Sequence, residues 1–241
     1  MSALRQTLAT PPFSPAELHF LRRVPNDTED APWMVMNERQ WHGASVLYGS
    51  LEAYARTHRV PWYPGGMLPL TYLPPGARRR KQVAPDVFAA TVPLRGRDSL
   101  AIEEAGLPPF VLEVVSASSV RRDLQEKTEL YRLLGAQEYA IVRLDLAAPR
   151  LEGYRRTPAG AWETWTPDDA GQLWSGVLGL GLLLVDDEVR AVTRAGELLP
   201  TLPEETAARQ AETQARAQAE EEVARLRTTL ERLTRAEEDK P

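Results

Sequence analysis

Two carboxylates and a lysine are placed where they could hold a metal ion and a water molecule. Glu113 interrupts the apolar, β-branched run Phe110–Val115, which predicts a buried central strand. Asp86 directly follows a proline near the start of another apolar run, residues 83–92. A carboxylate buried in a strand is costly unless a cation, a base or a hydrogen-bond network lies nearby. Magnesium prefers such oxygen ligands, and Lys127 could orient a water molecule or offset phosphate charge, so the set indicates phosphodiester cleavage.

Lys127 lies in a predicted helix that follows the Glu113 strand. A serine at position 118 or 119 can cap this helix, and Gly135 is placed to end it. Apolar residues recur between these limits at helical spacing. Asp123, Lys127 and Tyr131 are each four residues apart, so we expect their side chains to lie along one face of the helix.

Several short motifs give the chain a resemblance to a known superfamily. They are Pro85-Asp86, Glu113-Val-Val115, Asp123-x-x-x-Lys127 with Tyr131, and Gly135-Ala-Gln-Glu-Tyr139. In this order they resemble the PD-(D/E)XK nucleases, and within them most closely the Uma-type restriction endonucleases. The similarity covers roughly residue 33 to the end of the chain. It implies an α/β fold with a restriction-endonuclease-like mixed β-sheet flanked by helices.

The resemblance also implies an activity and a set of roles. The expected activity is Mg²⁺-dependent or Mn²⁺-dependent endonucleolytic hydrolysis of DNA. Asp86 and Glu113 would hold the ion together with the backbone carbonyl of Val114. Lys127 would position the water, and two residues would support Lys127 or the phosphate, namely Asp123 and Tyr131.

One position departs from the superfamily pattern. A lysine is expected two residues after the acidic residue, but this chain has Val115 there. The Uma-type resemblance implies that the role passes to Lys127 on the following helix. The departure also leaves open a second class of function, an inactive nuclease-like module that associates with proteins through its C-terminal helix. A Glu113 closed off by its neighbours, or a Lys127 pointing away, would favour that module.

Each candidate residue also has a plain structural interpretation. Asp86 could be an ordinary turn residue, Glu113 could form a buried ion pair with Lys127, and Lys127 could be an unremarkable helix cation. His42 and Glu52, on the first long predicted helix, are weaker candidates for the site, and Glu38 is an alternative to Glu52. A packing or solvated role is the simpler interpretation for all three.

A run of cations is the best candidate for contact with the nucleic-acid backbone. It follows a Pro-Pro-Gly turn and leads into the Asp86 strand, and each cation near the DNA backbone would add salt-sensitive affinity. A solvated loop explains the run equally well. The run and its expected extension consist of Arg78, Arg79, Arg80, Lys81, Arg121 and Arg122.

The 241 residues divide by composition into three parts. Residues 1–32 are proline-rich and predict an irregular arm with a short helix at 15–23; residues 33–200 predict the nuclease-like domain. Residues 203–241 predict one long helix, in which Val223, Leu226, Leu230 and Leu233 have heptad spacing over two heptads. We therefore expect this helix either to pair with a second copy in a short coiled coil, which would give a homodimer, or to project into solvent.

Local patterns predict further elements of the central domain. Residues 33–36 indicate an edge strand, and residues 60–63 and 67–73 indicate a hairpin around Pro64-Gly-Gly66. Residues 93–108 indicate a loop. The acidic cluster 186–188 could bind a cation, but a helix start explains it more simply.

Composition limits the compartment and the cofactor. The chain has no cysteine and three histidines, which excludes thiolate metal sites and disfavours a histidine-rich zinc site. It has no apolar run long enough to span a membrane and no convincing secretion signal, so we expect a cytoplasmic protein. A net charge of −5 argues against binding nucleic acid over the whole surface but allows a local basic patch. No organic cofactor is expected.

Overall fold

The computed structural model describes residues 13–27, 38–117 and 119–238, and the chain divides into two compact units, Met1–Leu199 and Pro200–Pro241. In chain order the strands are β1 (Tyr63–Gly65), β2 (Leu70–Tyr72), β3 (Lys81–Val83), β4 (Val87–Ala90), β5 (Leu100–Ala101), β6 (Phe110–Val115), β7 (Glu138–Arg143), β8 (Arg150–Arg156), β9 (Trp162–Trp165), β10 (Leu173–Ser175), β11 (Leu180–Val185) and β12 (Glu188–Val192).

The helices are α1 (Pro15–Arg23), α2 (Glu38–Thr57), α3 (Ile102–Ala105), α4 (Thr128–Leu134) and α5 (Leu202–Glu238). A π-helical segment, Arg122–Lys127, leads directly into α4. Local sequence explains the ends of two helices. Ser14 and Glu17 form a reciprocal capping box at the start of α1, and Gly135 adopts a left-handed conformation (φ 100°) at the end of α4.

A six-stranded sheet with the order β1-β4-β6-β7-β8-β9 forms the centre of the first unit. Strands β6 and β7 are parallel, and the other neighbours in this sheet are antiparallel. Two three-stranded sheets, β10-β11-β12 and β3-β2-β5, accompany it. The predicted mixed sheet with flanking helices and a long C-terminal helix is therefore confirmed.

Alternation along β6 decides which face of the sheet carries Glu113. Phe110, Leu112 and Val114 pack into a core that includes α2, whereas Val111 and Val115 pack into a second core with residues of α1 and α4. Successive strand side chains point to opposite faces, so Glu113 belongs to the second face. Its carboxylate therefore meets the helix that carries Lys127.

Two predicted elements of the central domain are wrong. Residues 60–73 do not form a hairpin, because β1 pairs with β4 and β2 pairs with both β3 and β5. Residues 93–108 are not simply a loop, since they contain β5 and α3. The first error arises because long-range strand pairing outweighs the local turn signal of Pro64-Gly-Gly66.

The acidic cluster at 186–188 is also not a helix start. Asp186 and Asp187 have positive φ angles of 49° and 65° and form the tight turn between β11 and β12. Two successive left-handed residues are typical of a two-residue hairpin turn, which aspartate tolerates. The predicted edge strand at 33–36 and Ser118 lie outside the described residues.

The second unit consists of α5. Thr201 and Glu204 form a reciprocal pair of side-chain to backbone hydrogen bonds at its start. Three apolar side chains of the predicted heptads are exposed, namely Val223, Leu226 and Leu230; the side chain of Leu233 lies outside the described residues. Within the described residues, no helix combines the length and the apolar character that crossing a membrane requires.

Candidate active site

Glu113 is the centre of the candidate site. Its side chain is buried, and the hydroxyl of Tyr131 donates a hydrogen bond of 2.6 Å to its Oε1 atom. The Nζ atom of Lys127 lies 2.9 Å from its Oε2 atom. Both oxygens of the carboxyl group therefore face donors on the helix that packs over this face of the sheet.

Asp86 reaches the same place from the neighbouring strand. It immediately precedes β4, whose Val87 is paired with Leu112 of β6. The backbone N–H of Val114, the residue after Glu113, donates a hydrogen bond of 2.6 Å to Asp86 Oδ2, and the charge of Asp86 contributes, after burial, to the raised pKa of Glu113. The structure therefore brings together the two carboxylates that the sequence predicts for the site.

The predicted helical face is present, although its first turn is π-helical. Lys127 Nζ lies 3.1 Å from Asp123 Oδ1 as well as close to Glu113, and Lys127 and Asp123 are both buried. Tyr131 lies one turn further on and binds the same glutamate. A π-helical turn inside an α-helix is uncommon and is frequently found at functional sites.

The charges of the site are strongly coupled. Burial raises the pKa of Asp86 to about 6, while Lys127 and the Val114 N–H oppose this rise. Burial also raises the pKa of Glu113 well above its usual range, against the effect of Lys127. Burial disfavours the charge on Lys127, but Glu113, Asp123 and their acidic neighbours outweigh it and raise the pKa of its ammonium group. At neutral pH, Lys127 is therefore the fixed charge, and the carboxyl pair is the part that can hold a proton.

Gln40 contacts the candidate site, although the sequence does not indicate it. It is buried on α2, and its side-chain amide donates a hydrogen bond of 2.8 Å to the backbone carbonyl of Val114. This carbonyl is the one that the family resemblance assigns to the metal ion. The weak candidates on this helix were the acidic residues Glu52 and Glu38, and nothing in the sequence distinguishes a glutamine whose side chain binds a backbone carbonyl.

The loop after β1 holds the backbone around Asp86. Met67 has a positive φ of 53°, and its N–H donates a hydrogen bond of 3.0 Å to the carbonyl of Pro85. A Cβ atom on Gly66 would lie 3.0 Å from the carbonyl oxygen of Asp86. The close approach explains why a glycine stands at position 66.

The basic residues do not form one exposed patch. Arg78, Arg79 and Arg80 are exposed between β2 and β3, although Arg80 forms an ion pair of 2.7 Å with Glu103. Lys81 donates a hydrogen bond to the carbonyl of Val24. Arg121 is 84% exposed.

Arg122 corrects the predicted extension of this patch. It is buried, and its Nη2 atom lies 2.9 Å from Asp27 Oδ1. Its guanidinium is therefore part of the interior and is not presented at the surface for a phosphate.

The two weak candidates are not brought to the carboxyl pair by any described contact. His42 is exposed, and its Nε2 atom lies 2.6 Å from Glu188 Oε1. Glu52 is part-buried and acts on Tyr48, whose pKa is raised first by burial and then by the charge of Glu52. Glu38 is exposed at the start of α2.

The donor set suits a hard divalent cation that keeps part of its water shell. Among the residues that the structure describes, no three histidine, aspartate or glutamate side chains form a ready metal cluster. Two neighbouring carboxyl groups whose pKa values are both raised are nevertheless an arrangement that a dication would favour. One or two carboxylates are the usual protein contribution to a magnesium site, so the residues fit such an ion.

A family model described as "Putative restriction endonuclease", named Uma2, matches residues 35–186. The chain belongs to the Uma2 family. The match contains Asp86, Glu113, Asp123, Lys127 and Tyr131, and it confirms the resemblance expected from the sequence. Asp27 and α5 lie outside the matched residues.

One solved structure similar to this chain is "a putative nuclease belonging to DUF820" from Anabaena variabilis ATCC 29413. It shares 12% sequence identity with this Uma2 chain, the similarity covers 54% of this chain and 69% of that one, and the TM-score is 0.39. No curated protein matches the chain. Membership in the Uma2 family places the chain among nuclease-type proteins.

Proposed function

We propose that this chain is a Mg²⁺-dependent or Mn²⁺-dependent endonuclease that hydrolyses phosphodiester bonds of DNA in the cytoplasm. The observation that carries the proposal is the carboxyl pair of Asp86 and Glu113: Asp86 accepts a hydrogen bond from Val114 N–H, next to Glu113, and Lys127 lies 2.9 Å from Glu113. These three groups come from a strand start, a central strand and a helix. Their convergence supplies two oxygen ligands and one cation at a single point.

The remaining residues of the site would hold these groups in place. Asp86, Glu113 and the carbonyl of Val114 would bind the ion, with Gln40 fixing that carbonyl. A divalent cation at this position would polarise the scissile phosphate and make water a better nucleophile at neutral pH. Lys127 would orient the water and stabilise charge on the phosphate, while Tyr131 and Asp123 keep its partners aligned.

Three exposed arginines are the best candidates for contact with DNA. Arg78 and Arg79 stand in the segment between β2 and β3, and β3 leads towards Asp86. Lys81 and Asp86 are five positions apart, which is a reach of about 17 Å for extended chain. Arg121 is exposed beside the π-helical segment. Such contacts would add sequence-independent affinity that weakens with salt.

A second candidate function is protein association without catalysis. Val115 replaces the expected strand lysine, and both oxygens of Glu113 are engaged by Tyr131 and Lys127. Three apolar side chains of the heptads are exposed on α5: Val223, Leu226 and Leu230. Helix pairing through this face would give a homodimer, and in a nuclease it would bring two sites to the two strands of a duplex.

The test is cleavage of supercoiled plasmid and linear DNA by the purified protein with Mg²⁺, with Mn²⁺ or with EDTA. Asp86→Asn and Lys127→Met remove the charges of the proposed site. Glu163→Gln is a matched control, because Glu163 is an exposed carboxylate on β9 that pairs with Arg155. We expect cleavage by the wild type and the control, and at least a 100-fold loss in both site variants.

The outcomes separate the two candidate functions. Equal cleavage by all four proteins would indicate a contaminating nuclease and refute the assignment. An inactive wild type that binds no Mn²⁺ but self-associates would establish the association module.

A further inference from the structure

Asp27 is a completely buried carboxylate that the proposed chemistry does not use. It lies in the segment after α1, outside residues 35–186, which carry the family match. Its N–H donates a hydrogen bond of 3.1 Å to the carbonyl of Gln82, and the Gln82 side chain donates back to the carbonyl of Asp27. Asn26 accepts a hydrogen bond of 2.7 Å from the N–H of Gln82. These contacts fasten the segment to β3.

The carboxylate of Asp27 contacts two different parts of the chain. Its Oδ2 atom accepts a hydrogen bond of 3.0 Å from the N–H of Ala84, which stands two residues before Asp86. Its Oδ1 atom accepts a hydrogen bond of 2.9 Å from Arg122 Nη2. Arg122 is the first residue of the π-helical segment that carries Asp123 and Lys127.

Arg122 is itself held on more than one side. Its Nη1 atom lies 3.0 Å from Glu126 Oε2, and its Nη2 atom also donates to the carbonyl of Pro25 at 2.8 Å. A guanidinium fixed at several atoms cannot turn without breaking charge-assisted hydrogen bonds. The contact between Asp27 and Arg122 therefore constrains the backbone from which Lys127 projects.

Neighbouring groups stabilise the negative charge on Asp27. Burial works against ionisation, but Lys127, Arg122 and the Ala84 N–H outweigh it and lower the pKa of this carboxyl group. Asp27 is thus a buried anion that binds Ala84, just before Asp86, and Arg122, on the helical segment that carries Lys127. Loss of its charge would leave a buried arginine partly uncompensated.

We propose that Asp27 is a positioning residue that sets the distance between the Asp86 strand and the Lys127 helix. The inference rests on the proposed function, since it supplies a geometry that the nuclease reaction would need. Asp27 acts through Ala84 on one side and Arg122 on the other. A displacement of about 1 Å between reacting groups can lower the rate about 100-fold. A residue that fixes the distance between these groups therefore affects the cleavage rate.

The test variant is Asp27→Asn, which keeps the size of the side chain but removes its charge. The matched control is Glu17→Gln. Glu17 also ties the α1 region to the helical segment, through an ion pair of 2.7 Å with Arg132, but this contact lies on α4 outside the site. Arg122→Lys is a second variant, for the case that Asp27→Asn fails to fold; it keeps the positive charge and loses the planar fork.

The first measurement is amide hydrogen exchange of the folded proteins. In Asp27→Asn we expect exchange to rise about tenfold or more in both 82–90 and 119–128, because one side chain holds both segments. In Glu17→Gln both segments should keep wild-type exchange. Exchange that rises in only one of the two segments, or equally in the control, would overturn the inference.

The second measurement is steady-state cleavage together with Mn²⁺ titration. We expect Asp27→Asn to lower kcat by about 10- to 100-fold with an unchanged KM for DNA, and to weaken Mn²⁺ binding about tenfold. Arg122→Lys should change kcat in the same direction by a smaller factor. An unchanged kcat and Mn²⁺ affinity in a folded Asp27→Asn variant would refute the positioning role.

The two measurements distinguish this inference from the proposed function. If the wild type neither cleaves DNA nor binds Mn²⁺ while exchange in both segments still depends on Asp27, the nuclease assignment fails and the structural bridge stands. If the wild type cleaves DNA but Asp27→Asn changes neither exchange nor kcat, the bridge fails and the nuclease assignment stands.

Discussion

Replacing Asp86 by asparagine should stabilise the metal-free protein at high pH while abolishing cleavage. Asparagine has the shape of aspartate, and its side-chain carbonyl can still accept the hydrogen bond of 2.6 Å that Val114 N–H donates to Asp86. The substitution removes only a charge that burial makes costly. Burial raises the pKa of Asp86 from 3.8 to about 6.

The size of the effect follows from proton linkage. The folded protein keeps the Asp86 proton to a higher pH than the unfolded chain does, so the wild type loses stability as pH rises from about 4 through about 6. A pKa difference of about 2 units, at about 1.4 kcal/mol per unit, amounts to about 3 kcal/mol at pH 8. This figure is an upper limit, because Asp86 is only part-buried and water screens its charge. About half of the change falls between pH 5 and pH 8.

The assay is urea unfolding of wild type and Asp86→Asn in EDTA at several pH values between 5 and 8. The difference between the free energies of unfolding of the variant and of the wild type should increase in favour of the variant between pH 5 and pH 8, by up to about 1.5 kcal/mol. Added Mg²⁺ should stabilise the wild type and leave the variant unchanged. Parallel pH dependences in the two proteins would show that Asp86 ionises as it does in water, and the reasoning about the carboxyl pair would be wrong.

Three further changes test other parts of the structure. Lys127→Met should cost about 3–5 kcal/mol in urea unfolding at pH 8, because it leaves the buried Glu113 and Asp123 without their cation. The cost should shrink at pH 5, because burial raises the pKa of Glu113 and this carboxyl group can take up a proton there. Gly66→Ala should destabilise the protein by about 1–3 kcal/mol and lower kcat, since the new Cβ would press on the Asp86 carbonyl 3.0 Å away; an unchanged unfolding midpoint and kcat would contradict this. Charging α5 by Leu226→Glu with Leu230→Glu should give a monomer in light scattering and shift the plasmid product from linear to nicked circles, whereas a wild type that is itself monomeric would exclude the proposed dimer.

Local sequence contains enough information to predict which residues the structure brings together in the candidate site. A glutamate inside an apolar strand is unusual, and the period of two along β6 places it on one face. The four-residue spacing of Asp123, Lys127 and Tyr131 places three polar groups on the helix that follows. Both signals are short-range, and the structure joins them through contacts of 2.6 Å and 2.9 Å to Glu113.

Long-range partners explain what the sequence could not show. The local sequence suggests that Arg122 is a surface cation. In the structure it forms a buried hydrogen bond with Asp27, which lies 95 positions earlier in the chain. Gln40 acts on a backbone carbonyl 74 positions away, so no pattern of side chains marks it. The turn at Pro64-Gly-Gly66 suggests a hairpin between the segments on either side of it, yet β1 pairs with β4 instead. In each case the deciding contact involves a part of the chain that local patterning does not specify.

The same geometry bears on the replacement of the strand lysine by Val115. Positions 113 and 115 are two residues apart, so both side chains lie on the face that α4 covers, and Val115 is completely buried there. A lysine at 115 would approach Glu113 along the strand, whereas Lys127 approaches it from the helix above and lies 2.9 Å away. The cation therefore remains beside the same carboxylate, and the apolar valine adds packing between sheet and helix. A lost lysine with no substitute would leave Glu113 without a cationic neighbour, which is the opposite of what the contact between Glu113 and Lys127 shows.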